Sequence, residues 1–256
     1  MTNIEFERHN RMVKELVLID GLLRSGKSLL GSILGSFARM EIIHKEPFLE
    51  ALPLFYYFDK ISKDAAVTLL RREADIKLYH LMISRNANFR IGDFTGVFNN
   101  VNTFKYFRRL FSKDGGIVLE KIKKERPIFQ IEVHEMLQMI DLYFEAFGEG
   151  LRVIEMVRHP LDLVHTKNIS RYGAFLKWNP LSWDLTIKNR SGYIPYYAFG
   201  WINEFLKESP IDRTIKIVQR LLKGTQDKYE SLSQTQKRQV LFVPFEEFVI
   251  CTHKYL

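Results

Sequence analysis

The chain has 256 residues, 46% of them hydrophobic, which is enough to bury a substantial core and within reach of one α/β domain spanning residues 1–256. Its 38 Lys and Arg against 30 Asp and Glu leave a formal charge of +8, which favours anionic ligands; the basic residues are spread through helical patterns with no arginine-rich tail, which argues against nucleic acid as the partner. One cysteine, Cys251, excludes an internal disulfide and a structural zinc site, and no apolar run is long enough to span a bilayer, so a reducing, cytoplasmic setting is expected.

The opening residues interleave charges with apolar positions and form no secretory h-region. Residues 16–20 (LVLID) read as a buried strand ending at Gly21, and LLGSILGSF after Ser28 has helical spacing. IIHKEPFLEALPLFYYF, interrupted by Pro47 and Pro53, reads as broken helices, Ala65 to Ser84 as a longer helix, and NFRIGDFTGVFNN as a loop or short hairpin. PIFQIEVH reads as a second strand followed by a helix over EMLQMIDLYFEAF. A third strand, RVIEMV, runs into Arg158, His159 and Pro160, and the helix LDLVHTKNI follows with proline in its first turn. RTIKIVQRLLKGTQDKYESL reads as an amphipathic helix and QVLFVPFEEFV as a last strand entering a helix. Strands alternating with helices predict a parallel sheet covered on both faces.

Gly21, Leu22, Leu23, Arg24, Ser25, Gly26, Lys27 and Ser28 match GxxxxGK[ST] in full, between a predicted strand and a predicted helix. A phosphate group needs several donors converging on one small volume. The backbone N–H groups of such a loop supply them, and the positive end of the following helix dipole adds to them. In a nucleoside triphosphatase or kinase, Lys27 would reach the β and γ phosphates and Ser28 would hold magnesium. Neither Glu132 nor Glu155, at the ends of their strands, stands in an ideal magnesium sequence.

The string LLRSGKSLL also resembles the 5′-phosphosulfate loop of sulfotransferases, with Lys27 standing where threonine is more usual. Arg158, Pro160 and Thr166 resemble the 3′-phosphate site of the same family: an arginine ending a strand, proline two positions on, and a hydroxyl residue eight positions on. A compact dianion suits a guanidinium fork paired with a hydroxyl, and ATP lacks that phosphate. VLFVPFEEFV resembles a late strand and acidic helix start of the family. Leu29 stands where many cytosolic members place an adenine-stacking tryptophan, so the chain resembles more closely the branch acting on carbohydrates or proteins.

The resemblance implies a P-loop-type parallel sheet flanked by helices, with 3′-phosphoadenosine-5′-phosphosulfate as co-substrate and no metal. It implies transfer of a sulfuryl group to a hydroxyl or amine acceptor, carbohydrate among the candidates. The donor would be held by Arg24, Ser25, Gly26, Lys27, Ser28, Arg158 and Thr166, with Arg24 also meeting charge on the leaving oxygen. For the base, the resemblance offers Glu46, as in protein-tyrosine and related members, and His134, as in cytosolic members, with Glu46 preferred. A P-loop kinase is the alternative. His44, His159 and His165 show no metal-ligand arrangement, and the aromatic groups of PLFYYF and GYIPYYAFGW are able to wall an acceptor site.

Overall fold

The computed structural model describes residues 4–169, 184–189 and 192–256. Its first half runs β1 (Glu15–Asp20), α1 (Lys27–Leu34), β2 (His44–Lys45), α2 (Pro47–Tyr57), α3 (Lys63–Met82), α4 (Thr103–Arg109), α5 (Gly116–Glu125) and β3 (Ile128–Glu132). There follow α6 (Asp141–Phe147), β4 (Leu151–Val157), α7 (Pro160–Ile169), β5 (Thr186–Asn189), β6 (Gly192–Pro195), α8 (Ile202–Lys207), α9 (Pro210–Ser231), α10 (Gln234–Lys237), β7 (Val240–Pro244) and α11 (Phe245–Ile250).

Five strands form a parallel sheet in the order β2-β3-β1-β4-β7, and β5 and β6 make a separate antiparallel hairpin. This is the α/β class expected from the sequence. The apolar strand β1 is buried on both faces: Leu16 and Leu18 pack into the layer that holds α2, α3 and α6, while Val17 and Ile19 face α1 and Phe248 of α11. Such two-sided burial is why the strand shows an unbroken apolar run rather than alternation. The neighbours of β1 in the sheet, β3 and β4, come later in the chain and lie on opposite sides of it, so the strand order reverses there. In open α/β sheets that reversal leaves a crevice outside the carboxyl ends of the strands.

The structure departs from the sequence reading in four places. Residues 44 and 45 form a strand too short to show any periodicity, pairing with Ile131 and Glu132 of β3. Helix α2 runs unbroken through Pro53, and the hairpin β5–β6 was not expected. The helix expected over EMLQMIDLYFEAF splits into a 3-10 turn, Met136–Met139, and α6. The split begins at Glu135, whose φ of 55° is left-handed, and Leu137 N–H is drawn to the Asp20 carboxylate rather than to a helical carbonyl. Among the described residues, no helix is long and apolar enough to cross a membrane.

Candidate active site

The loop from Gly21 to Gly26 leaves β1 at the crevice. Gly21 has a φ of +132°, and a Cβ there would stand 2.4 Å from the Met156 carbonyl oxygen of β4; at Gly26, with a φ of +101°, a Cβ would meet the Phe245 ring at 2.2 Å. Both positions require glycine, sterically and conformationally. Helix α1 opens directly behind Gly26, whose carbonyl accepts the Leu29 and Leu30 N–H groups, and the N–H groups of Lys27 and Ser28 have no carbonyl one turn back to bond. Ser25 Oγ, in a residue 1% exposed, is a donor without a hydrogen-bond partner. Orphaned donors around a helix N-terminus fit the oxygens of a phosphate group. Arg24, itself left-handed with a φ of 74°, is exposed at the tip of the loop.

Arg158 is brought to this loop from 134 positions away. Leaving β4, its Nη1 donates to the Arg24 carbonyl oxygen at 2.9 Å, and its guanidinium lies 4.8 Å from the centroid of the Phe245 ring. Its Nε is a buried donor without a hydrogen-bond partner, so capacity for an anion is left over. Glu246 Oε1 accepts the His159 N–H at 3.0 Å, so α11 fixes the turn that carries Arg158. Thr166 is half-buried on α7, roughly 9 Å along the axis from Pro160 at 1.5 Å per residue. The side chain of Arg158 must span that rise if both are to hold one phosphate.

Beneath the loop lies a group of acids that the sequence did not announce. Asp20 and Glu155 are partners across β1 and β4, both fully buried. Burial pushes the Asp20 carboxyl above its usual range against the pull of Lys27, and burial with the Asp20 charge beside it pushes Glu155 well above. Lys27 sits over them: its Nζ donates to the carbonyl oxygens of Gly21, at 2.5 Å, and Leu22, at 3.1 Å. Two of its three N–H donors are taken in this way, which leaves one for a bound anion. Ser28 Oγ donates to Glu132 Oε2, at the end of β3, at 2.7 Å.

The two sequence candidates for the base lie in different surroundings. Glu46, at the start of α2, is buried, with Lys77 Nζ 2.7 Å from one oxygen and His44 Nδ1 3.5 Å from the other. Burial opposes its charge, yet these two neighbours overcome it and hold the carboxyl below the usual range. His134 stands two residues past β3. Its Nδ1 lies 3.1 Å from Glu50 Oε1 and its Nε2 lies 4.0 Å from Glu132 Oε1. Burial first, then Lys27, Lys45 and Lys167, hold the imidazole well below its usual pKa, so the ring is neutral at pH 7. Glu50 was missed in the sequence. Burial, then the Glu135 charge, push it up to about 9, and only its place on α2 facing His134, 84 positions away, marks it.

No protein-family model matches the chain, and no curated protein matches it significantly in sequence. Among solved structures it is similar to a sulfotransferase domain from the curacin biosynthetic pathway, at 12% identity over 96% of this chain and 71% of that one, with a TM-score of 0.51. Also similar are a sulfotransferase domain from the Synechococcus PCC 7002 olefin synthase (11% identity, 98% and 74% of the two chains, TM-score 0.47) and a sulfotransferase from Alicyclobacillus acidocaldarius (15%, 93% and 76%, TM-score 0.39). What the chain shares with the first of these is the fold.

Proposed function

We propose that this chain, with its sulfotransferase fold, is an enzyme that moves a sulfuryl group from 3′-phosphoadenosine-5′-phosphosulfate to an acceptor hydroxyl or amine. The observation that carries the reading is the contact of Arg158 with the Arg24 carbonyl. The residue that resembles the 3′-phosphate arginine of sulfotransferases abuts the loop that resembles their 5′ site, so one adenosine bisphosphate can engage both.

In this reading the loop backbone from Ser25 to Ser28 and the opening of α1 bind the 5′ group, and Arg158 with Thr166 binds the 3′-phosphate. The phosphosulfate, when bound, supplies the activated sulfuryl group. Arg24, at the loop tip, faces the charge that grows on the leaving oxygen, and Lys27 adds the donor that the Gly21 and Leu22 carbonyls leave over. The acceptor proton goes to His134. Its neutral ring donates from Nδ1 to Glu50 in the tautomer that leaves Nε2 open to take a proton. Glu46 remains the second candidate, with its carboxylate already shared between Lys77 and His44.

The test is calorimetry with adenosine 3′,5′-bisphosphate and AMP. Both nucleotides can use the Gly21–Ser28 loop, whereas only the first gives Arg158 and Thr166 a phosphate. A charge-assisted hydrogen bond contributes about 1.5–3 kcal/mol, so a preference of at least about tenfold is expected, without magnesium, and Arg158→Ala should abolish most of it. Equal affinity for the two nucleotides would overturn the reading.

A second reading, a P-loop kinase, rests on the hydrogen bond from Ser28 Oγ to Glu132 Oε2. A hydroxyl at the helix start facing a carboxylate on the neighbouring strand is the pair such enzymes use around magnesium. Magnesium-dependent ATP binding tighter than that of the bisphosphate, in the same calorimeter, would decide for it.

A further inference from the structure

Although Lys and Arg occur throughout the chain, their excess over Asp and Glu gathers in one segment. Residues 103–126, under a tenth of the sequence, hold eight Lys and Arg against three Asp and Glu and so carry five of the eight net charges. Helix α4 is fixed inwards by the buried Glu41: both Nη groups of Arg109 donate to its carboxylate, at 2.6 and 3.0 Å, and the Tyr106 hydroxyl donates to it at 3.0 Å. With that side anchored, the other turns Phe104 and Phe107 outward, and Phe111 follows just past the helix; Phe104 is 82% and Phe111 88% exposed. Phe107 stands edge to face with Phe89 and Phe98, at centroid distances of 5.3 and 5.8 Å, so the exposed rings have a firm base. Val101, Leu110 and Ile117, before, between and after them in the chain, are exposed as well. Beyond Phe111, Lys113 enters the wall of a groove of about 460 Å³ together with Ile117, Val118, Lys121 and Lys124 of α5. Glu120 and Glu125 share that wall, but Lys123 lies 2.8 Å from the first and Arg109 3.6 Å from the second.

We propose that this face docks on an anionic lipid surface, with Phe104 and Phe111 entering the acyl boundary and the surrounding Lys and Arg meeting the headgroup phosphates. Exposed apolar side chains gathered on one face, rather than scattered singly, mark an interaction site. Rings and aliphatic side chains bordered by lysine and arginine have the composition of interfacial anchors, which combine apolar burial with attraction to anionic headgroups. The groove repeats that mixture, apolar at Ile117 and Val118 and cationic at its lysines. A second copy of the chain is disfavoured, because a two-fold contact would set the positive face against itself. Nucleic acid would satisfy the charges, but Val101, Leu110 and Ile117 have no π-face on which a base could stack. The Glu41 N–H donates to the carbonyl of Ile128, the first residue of β3, so α4 is tied to the amino end of the sheet. The phosphate loop lies at the carboxyl ends, and a docked chain therefore keeps its crevice open. The inference does not depend on the sulfuryl-transfer reading.

The test is flotation of the full chain with vesicles of phosphatidylglycerol and phosphatidylcholine in equal parts, beside vesicles of phosphatidylcholine alone. At low salt, binding to the first should be at least about tenfold tighter than to the second, and it should fall as salt rises. Phe104→Ser combined with Phe111→Ser should weaken it at least about tenfold, the weight of burying a single such side chain, and exposure of both positions leaves the melting temperature unchanged. Arg108→Gln combined with Lys124→Gln, both exposed, should weaken it about fivefold for each charge removed. Ile250→Ser, at an 81% exposed position on α11, should change nothing. Equal partition into the two lipids, or partition that the phenylalanine pair does not alter, would overturn the proposal. So would a dimer in sedimentation that the phenylalanine pair dissolves, which would assign the face to a second copy. An oligonucleotide bound through the same residues more tightly than the vesicles would overturn it in favour of nucleic acid.

Discussion

Arg24→Ala is expected to lower turnover about 100-fold or more while changing the affinity for adenosine 3′,5′-bisphosphate only a few fold. The asymmetry follows from where each donor sits. In the proposed reading ground-state phosphate is held by the loop backbone, the first turn of α1 and Ser25, none of which the substitution touches. The guanidinium stands exposed at the loop tip, where charge appears on the bridging oxygen only as the sulfuryl group departs, and a preorganised donor lost from such a place costs roughly 10²–10³ in kcat. The backbone is not the cause of the loss, because alanine tolerates the left-handed φ of 74° no worse than arginine does, and the Arg24 carbonyl that Arg158 grips remains. Steady-state kinetics beside calorimetry on the same variant separate the two effects. Normal turnover in Arg24→Ala would remove it from the catalytic residues.

His134→Ala is expected to lower transfer by about 10²–10⁴-fold, the range a general base commands, with bisphosphate binding nearly unchanged. Glu46→Gln should act differently. Its carboxylate is buried against Lys77 and His44, so the amide loses a charge-assisted bond and costs about 1.5–3 kcal/mol of stability, read by denaturant unfolding, with a smaller loss of turnover. The reverse order, with Glu46→Gln inactive yet stable and His134→Ala active, would move the base to Glu46.

How much of this was legible in the sequence depended on how local each rule is. The phosphate loop could be read from Gly21 to Ser28 because its glycines answer to backbone torsion and close approach, which neighbouring residues dictate. The proline-started helix after Arg158 was legible for the same reason. Glu50 and Glu135 were not, since Glu50 acquires its meaning from His134 and Glu135 from Leu23 and Tyr196, partners supplied by the fold alone. Two-residue β2 is shorter than any period that could reveal it, and the unbroken α2 shows tertiary packing overriding Pro53, whose side chain is buried. The aromatic segments around Tyr57 and Tyr196 were visible as compositions; their meeting in one pocket was not.

If the loop binds a nucleotide as proposed, the acids beneath it should give that binding a hydrogen-ion stoichiometry. Asp20, Glu155 and Glu135 are buried carboxyls whose pKa values burial has already raised, and they lie beside the cradle that a polyanion would enter. A bound anion disfavours their ionised forms further, raising those pKa values again, so the complex holds more protons than the free protein. Affinity should therefore weaken as pH rises through the range where these carboxyls titrate, and the observed heat of binding should vary with the ionisation enthalpy of the buffer in the direction of proton uptake. Heats independent of buffer would show that the carboxyls do not feel the ligand. A basic chain with an acidic foundation beneath its proposed anion site would thus bind its ligand together with protons taken from solvent, held on its own carboxyls.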